Sequence, residues 1–253
     1  MTNPPISVLV YSPFGGGKTH FLGTFPKPML VFFFDRYGKD LPLLKLGQAS
    51  QLMQLQVGTT YIPCKEIRDP QTNELLVRLE YYHDVTEPPT AYSTFLNQRM
   101  ATIHLEFEQW ATIAIDSMTF LEFSARKWDE LVLNAGHRDP RSHYAQSMNM
   151  LETLLYSRLA GFPMNVVVTA HVDRKMSEIH GEILHTVAAP GSLKGRIGAA
   201  FQEVYRIQRQ KNEDGTFRRI LQTQEDGEYQ AQTQLEIPMY VEPTYEALFW
   251  SYK

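Results

Sequence analysis

YSPFGGGKTHFLGTFPKP (residues 11–28) sets three glycines, a lysine and a threonine between two apolar runs. Before it, ISVLVY (6–11) is a short β-branched run that ends at Ser12-Pro13; after it, MLVFFF (29–34) begins. The first run predicts a buried strand, and Lys18 to Phe25 predicts a helix that Pro26 stops. A glycine loop between a buried strand and a helix N-terminus lets backbone N–H groups converge on an anion, aided by the helix dipole. Gly15, Gly16 and Gly17 leave room for a phosphate to reach the backbone, Lys18 reaches the β- and γ-phosphates, and Thr19 ligates Mg²⁺. The stretch reads as a phosphate-binding loop for ATP and Mg²⁺, with contacts from Ser12, Pro13, Phe14, Gly15, Gly16, Gly17, Lys18, Thr19 and His20. Ser12 stands where the motif's usual first glycine would be, five residues before Gly17. A glycine-rich turn with no ligand is the alternative reading.

Working outward, two more apolar runs end in a polar residue: WATIAI (110–115) before Asp116, and MNVVVTA (164–170) before His171. With helix-length segments at 90–108, 118–133 and 143–160 between the runs, the pattern predicts an α/β fold with a mainly parallel sheet. The interval 50–90 breaks the rhythm. TYIPCKEIRD and ELLVRLEYYHD flank the turn signal at 69–73, which predicts an inserted β-hairpin. A second hairpin is expected to turn at His180-Gly181, and EVYRIQRQ and TFRRILQTQ flank the turn Asn212-Glu213-Asp214-Gly215, so the C-terminal third reads as antiparallel.

A carboxylate at a strand's C-terminal edge, as at Asp116, suits the support of a magnesium ion opposite Thr19, with Ser117 assisting. Asp and Ser are also good helix N-caps, the competing role here. His171 ends a neighbouring strand, where it could sense a γ-phosphate or serve as a hydrogen-bonded structural histidine.

The 253 residues, 43% of them hydrophobic, suit one domain with an insertion. No run reaches the ~20 apolar residues of a membrane span, and the start MTNPPISV has no signal-peptide pattern, so a cytoplasmic protein is expected. The lone Cys64 excludes an internal disulfide and a thiolate metal cluster. A net charge of −4 gives no global attraction to nucleic acid, so a polyanion would need a local basic patch.

SPFGGGKTHFLGTFPKPMLVFFFD, WATIAIDSMTF, NVVVTAHVD and PGSLKGRIGAAFQEVYRIQR, in that order, resemble the RecA-like core ATPases. The likeness is greatest to the compact ones encoded by bacteriophages that act as single-strand annealing recombinases. It covers most of the chain apart from 50–90 and the C-terminal end. The resemblance implies one RecA-like domain over 1–253, with its phosphate loop on 12–19, its Walker B aspartate on Asp116 and its sensor on His171. It further implies single-stranded DNA as partner, held by loops at 134–144 and 173–193. Arg138, Arg141 and Tyr144 lie in the first, and Arg174, Lys175, Lys194 and Arg196 in the second and its exit; cations pair with phosphates and an aromatic ring stacks on a base. Without the resemblance these are solvated loops. A ring or filament of copies, a single-strand-binding or replication protein as partner, and the cytoplasm of a bacterial host are implied as well.

Two departures bear on activity. Tyr37 stands where the family usually carries a water-orienting glutamate, and a phenol of pKa ~10 is a poor base at neutral pH. Asp35 and Asp40 are the nearby carboxylates. Arg218 and Arg219 are the residues available to reach a neighbour's nucleotide. The expectation is an ATP-binding protein acting on single-stranded DNA in phage-type recombination, annealing or replication, its ATP state coupled to loop ordering. The alternatives are a non-hydrolysing, nucleotide-dependent scaffold or loading module, and a small-metabolite kinase with 50–90, carrying Arg68 and Arg78, as its lid.

Overall fold

The computed structural model describes residues 3–36, 38–85, 87–176 and 183–249, without the side chains of 174–176 and 183–184. Tyr37 and the turn expected at His180-Gly181 lie outside the described residues. The chain begins with β1 (Ser7–Ser12), α1 (Lys18–Leu22), β2 (Met29–Phe33), α2 (Leu41–Leu44), β3 (Gln48–Ala49), β4 (Met53–Val57), β5 (Thr60–Arg68) and β6 (Leu75–Tyr81). A helical run follows, made of α3 (Ala91–Ser93), a π-helical stretch (Thr94–Arg99), α4 (Met100–Thr102) and a 3-10 stretch (Ile103–Gln109). Next come β7 (Thr112–Asp116), α5 (Met118–Trp128) with its π-helical extension (Asp129–Leu133), and α6 (Pro140–Glu152), which continues through shorter turns. β8 (Asn165–Met176), β9 (Ile183–Val187), β10 (Glu203–Lys211), β11 (Phe217–Gln222), β12 (Tyr240–Val241) and α7 (Tyr245–Leu248) complete the described elements.

Strands β10, β1, β8, β7, β2 and β6 lie side by side in that order, all parallel. Antiparallel strands extend the sheet past both edges: β11 and β12 beyond β10, and β5 and β3 beyond β6. Strand β4 pairs with β5, and β9 with the outer half of β8. Because successive side chains alternate, each central strand feeds two cores, as a sheet covered on both faces requires. Leu9, Phe32, Ile115 and Val168 pack with Leu121, Leu151 and Leu154 on one side. Val10, Val31, Ala114 and Val167 pack with Phe21, Leu22 and Leu43 on the other.

Both expected hairpins form, β5 with β6 and β10 with β11, but one strand of each also belongs to the parallel sheet. The turn at 69–73 forms, with Asp69 Oδ1 accepting from the N–H groups of Gln71 and Thr72. Its second arm, however, is β6, a member of the parallel sheet paired from Met29↔Val77 to Phe33↔Tyr81. Val77, Leu79 and Tyr81 alternate into the core that holds Val31 and Phe33, so β6 gains more apolar burial beside β2 than in an isolated hairpin. Likewise EVYRIQRQ forms β10, parallel to β1 on one side and antiparallel to β11 on the other. The antiparallel extension therefore begins at β11. Among the described residues no helix is long and apolar enough to cross a membrane.

Glu80 points away from that core and meets Arg99, each side chain 0% exposed. Arg99 Nε donates to both Glu80 oxygens at 3.0 and 2.9 Å, and its two terminal nitrogens donate to Glu106 at 2.7 and 2.8 Å. This fastens the 91–109 helical run to the sheet. Removing one partner of a buried pair strands the other charge. Arg99→Met is therefore expected to cost about 3–5 kcal/mol in urea unfolding. Arg68→Ala, at the half-exposed pair with Glu66, should cost under ~1 kcal/mol.

Candidate functional site

The parallel register brings separate pieces of sequence to one edge of the sheet. Ser12 at the end of β1 pairs with His171 on β8, and Phe33 at the end of β2 pairs with Asp116 at the end of β7. The loop before α1, the residues after β2, Asp116 and His171 thus converge on a cavity of about 300 Å³. Gly16 N–H donates to the Pro13 carbonyl at 3.1 Å, while Gly15 and Gly17 take φ values of +71° and +109°. Those last two are conformations that L side chains rarely adopt. Ser12 has no such requirement, because its φ is not positive. Its buried hydroxyl donates to the Pro13 carbonyl at 3.0 Å, and a Cβ on Gly16 would lie 2.3 Å from it. Ser12 thus packs where a first glycine would leave space.

Lys18 is buried and spans the loop. Its Nζ donates to the Ser12 carbonyl at 3.1 Å, with the Ser12 Oγ at 3.3 Å, the Pro13 carbonyl at 3.4 Å and His171 Nδ1 at 3.4 Å. Burial pulls its pKa down to about 8, against the opposing pull of Asp116 and Asp35. An ionised acceptor binds an ammonium more strongly than a neutral carbonyl does, so phosphate oxygens are better partners for it.

Asp116 is almost fully buried. Thr19 Oγ1 donates to its Oδ2 at 2.8 Å, and Thr169 Oγ1 donates to its Oδ1. Burial raises its pKa, while the two hydroxyls and Lys18 lower it. With both oxygens so engaged, Asp116 caps no helix; Ser117 holds the N-cap position of α5 and makes no side-chain capping bond. Its Oγ is buried without a hydrogen-bond partner among the described residues. Among the described residues no group of three or more His, Cys, Asp or Glu could hold a metal. A hydroxyl and a carboxylate in contact at the cavity suit a hard cation that keeps its waters and binds phosphate, as Mg²⁺ does.

Asp35 lines the same cavity, and burial together with Asp116 raises its pKa to about 6. His171 is held near 4 by burial and then by Lys18, so its ring is neutral at pH 7. Its backbone N–H donates to Thr119 Oγ1 at 3.0 Å, and its ring Nε2 is buried with no hydrogen-bond partner among the described residues. Phe14 is 73% exposed, its ring 4.2 Å from that of His171. His20 is exposed at the cavity's rim, its pKa lowered by burial and by Arg219 and Lys45. Pro13 is exposed in the loop.

The two expected DNA loops are placed less uniformly. Arg138, Arg141 and Tyr144 are exposed between the end of the α5 extension and the first turns of α6. Tyr144 lines a small cavity with Lys194, whose Nζ is ion-paired to Asp173. Arg196 is ion-paired to Glu152. The side chains of Arg174 and Lys175 lie outside the described residues. Sequence reasoning missed Arg126, whose guanidinium sits 4.6 Å from the centroid of the Tyr144 ring. It also missed Thr169, signalled only as one hydroxyl in an apolar strand. Arg218 bonds to Gln210, whereas Arg219 packs on its own chain's loop, its Cδ 2.6 Å from where a Gly17 Cβ would be.

A family model described as an AAA domain matches residues 4–235. Comparison with curated proteins gave no match. Among solved structures, a prototypical ATPase from the type III secretion system of pathogenic bacteria is similar at 11% identity and a TM-score of 0.50, covering 82% of this chain. This chain spans about half the length of that protein's, 53%. Flagellar accessory protein FlaH from Methanocaldococcus jannaschii is 11% identical, with a TM-score of 0.40, over 87% of this chain and 78% of its own. At such identity the first likeness bears on the fold alone.

A lysine whose pKa falls from 10.5 to about 8 on folding destabilises the ligand-free chain fully below pH 8, and not at all above 10.5. Lys18→Met is expected to stabilise the ligand-free protein by ~1–3 kcal/mol at pH 7, with the gain shrinking from pH 8 to 10.5. Gly17→Ala should instead destabilise by ~1–3 kcal/mol, through its left-handed backbone and the Arg219 stem. Urea titrations across pH measure both.

Proposed function

The chain belongs to the AAA domain family, and from that premise we propose that this nucleotide-binding P-loop ATPase-type domain binds ATP with Mg²⁺ and acts on single-stranded DNA. The setting we propose is phage-type recombination, annealing or replication. One observation carries the nucleotide part: the buried Lys18, the Thr19–Asp116 contact and His171 with its unpartnered Nε2 share a single cavity. Thr19 and Asp116 would hold Mg²⁺, which neutralises phosphate charge when bound. Lys18 exchanges loop carbonyls for phosphate oxygens. His171, neutral at pH 7, offers Nε2 to the terminal phosphate. Asp35, with a pKa of about 6, is largely ionised at pH 7 and is the group available to accept a proton from an attacking water.

The DNA part is supported by exposed cations beside an aromatic face. Tyr144 is 50% exposed, with the half-buried Arg126, itself ion-paired to Glu122, against its ring, and the exposed Arg138 and Arg141 stand nearby in sequence. Single strands bind such combinations through base stacking and phosphate pairing. Two links support a route from nucleotide to this surface. Helix α5 starts two residues after Asp116, and the carbonyl of His171 accepts from Ala188 N–H at 2.8 Å, tying the sensor to the β8–β9 arm. Through these links the state of the nucleotide would order the DNA-binding loops. Copies arranged in a ring or filament, and a replication or single-strand-binding protein as partner, belong to the same proposal.

ATP turnover by the purified chain, with and without single-stranded DNA, tests it. Turnover is expected to rise with DNA and to vanish in Lys18→Ala; ATP binding without turnover would replace the motor by a nucleotide-gated binding module. Tyr144→Ala should weaken single-stranded DNA about tenfold, the worth of one stacked base, and leave ATP binding unchanged. Unaltered DNA affinity in Tyr144→Ala would remove this surface from the proposal.

A further inference from the structure

A second cavity, of about 520 Å³, lies between α1 and the β10–β11 hairpin and shares Gly17, His20 and Arg219 with the first. The hairpin turns one aromatic ring into it, that of Phe217, which is 58% exposed and has the Arg209 guanidinium 5.0 Å from its centroid. Arg209 and Arg219 face each other directly across the two strands. Like charges in that position repel, and neither forms a salt bridge among the described residues. An anion between the hairpin and the P-loop would relieve that repulsion. Among the described residues, Glu242 is the one acid lining the cavity, next to Pro243 in sequence.

We propose that this second cavity receives the ribonucleoside of the nucleotide whose phosphates the P-loop holds. The inference rests on the P-loop reading given above. The base stacks on the face of Phe217 opposite the one the Arg209 guanidinium covers. Arg219, its stem lying on Gly17, reaches the phosphate chain from the same chain rather than from a neighbouring copy. Glu242 accepts hydrogen bonds from the ribose hydroxyls, the role a carboxylate fills for a ribose elsewhere. Every base has a π-face, so a stacking site tolerates different bases, while the carboxylate distinguishes ribose from deoxyribose. The site therefore selects ribonucleotides with little regard for the base.

The test is titration calorimetry on the full chain with Mg²⁺, using ATP, GTP, 2′-deoxy-ATP and inorganic tripolyphosphate as ligands. Phe217→Ala is expected to weaken ATP and GTP alike by about tenfold and to leave tripolyphosphate unchanged. Glu242→Ala should bring ATP down to the affinity of 2′-deoxy-ATP. Arg219→Ala should weaken all four, tripolyphosphate included. Phe217 and Glu242 are exposed, so these two substitutions leave the fold intact. ATP bound as in the wild type by both Phe217→Ala and Glu242→Ala, with binding still lost in Lys18→Ala, would overturn the nucleoside assignment and spare the P-loop reading. Undiminished ATP binding in Lys18→Ala would overturn both.

Discussion

Thr19 and Thr169 each donate to one oxygen of Asp116, and that buried contact fixes the geometry of everything around it. Thr19 belongs to α1, Thr169 to β8 and Asp116 to β7, so two hydrogen bonds tie three elements at one point. A carboxylate at this depth is costly unless its lone pairs are engaged. The two hydroxyls and the nearby Lys18 offset part of that cost, and burial still pushes the carboxyl upward. The position of α1 over the sheet, and hence the shape of the glycine loop leading into it, follows from satisfying Asp116.

The same contact explains which parts of the site were legible in the sequence. The glycine loop could be read because its requirements are local: Gly15 and Gly17 need positive φ, and Gly16 has the Ser12 hydroxyl where a Cβ would go. Asp116 and His171 were visible as polar residues ending apolar strands, and strand ends in a parallel sheet lie at one edge. Thr169 gave almost no signal, since a single hydroxyl in MNVVVTA is compatible with an ordinary buried strand. The hairpin mates of β6 and β10 were legible, but their parallel neighbours β2 and β1 were not, for a related reason. An apolar strand pattern states that two faces are buried and is silent on which neighbour lies alongside. In β6 the choice was settled by Val77, Leu79 and Tyr81 joining the core of β2, and by Glu80 finding Arg99. Arg219 was noticed as a cation, yet its contact with Gly17 depends on the hairpin folding back over α1, which no short stretch encodes.

Charge is distributed in a way the net value of −4 conceals. Several basic residues are already committed: Arg99 to Glu80 and Glu106, Lys194 to Asp173, Arg196 to Glu152. Their fields are largely cancelled at short range. Arg209 and Arg219 form no such pairs among the described residues, and both line the cavity between α1 and the hairpin, next to the glycine loop. Local potential rather than total charge decides where an anion accumulates.

His171 marks the place where that electrostatic side meets the mechanical one. Up to His171, β8 is paired in parallel with β1; from Val172 onward it is paired antiparallel with β9, outside the central sheet. The residue therefore sits at the root of an arm, with its ring against Phe14 of the glycine loop and its Nδ1 at 3.4 Å from Lys18. Any rearrangement that draws Lys18 away from its loop carbonyls changes what His171 packs against and bonds to. Its carbonyl holds Ala188 directly, so the first residue beyond β9 is attached to the same pivot. A loop that recognises phosphate and an arm that projects from the sheet thus share one residue, the loop through its ring and the arm through its carbonyl, and that sharing is a direct consequence of the parallel register between β1 and β8.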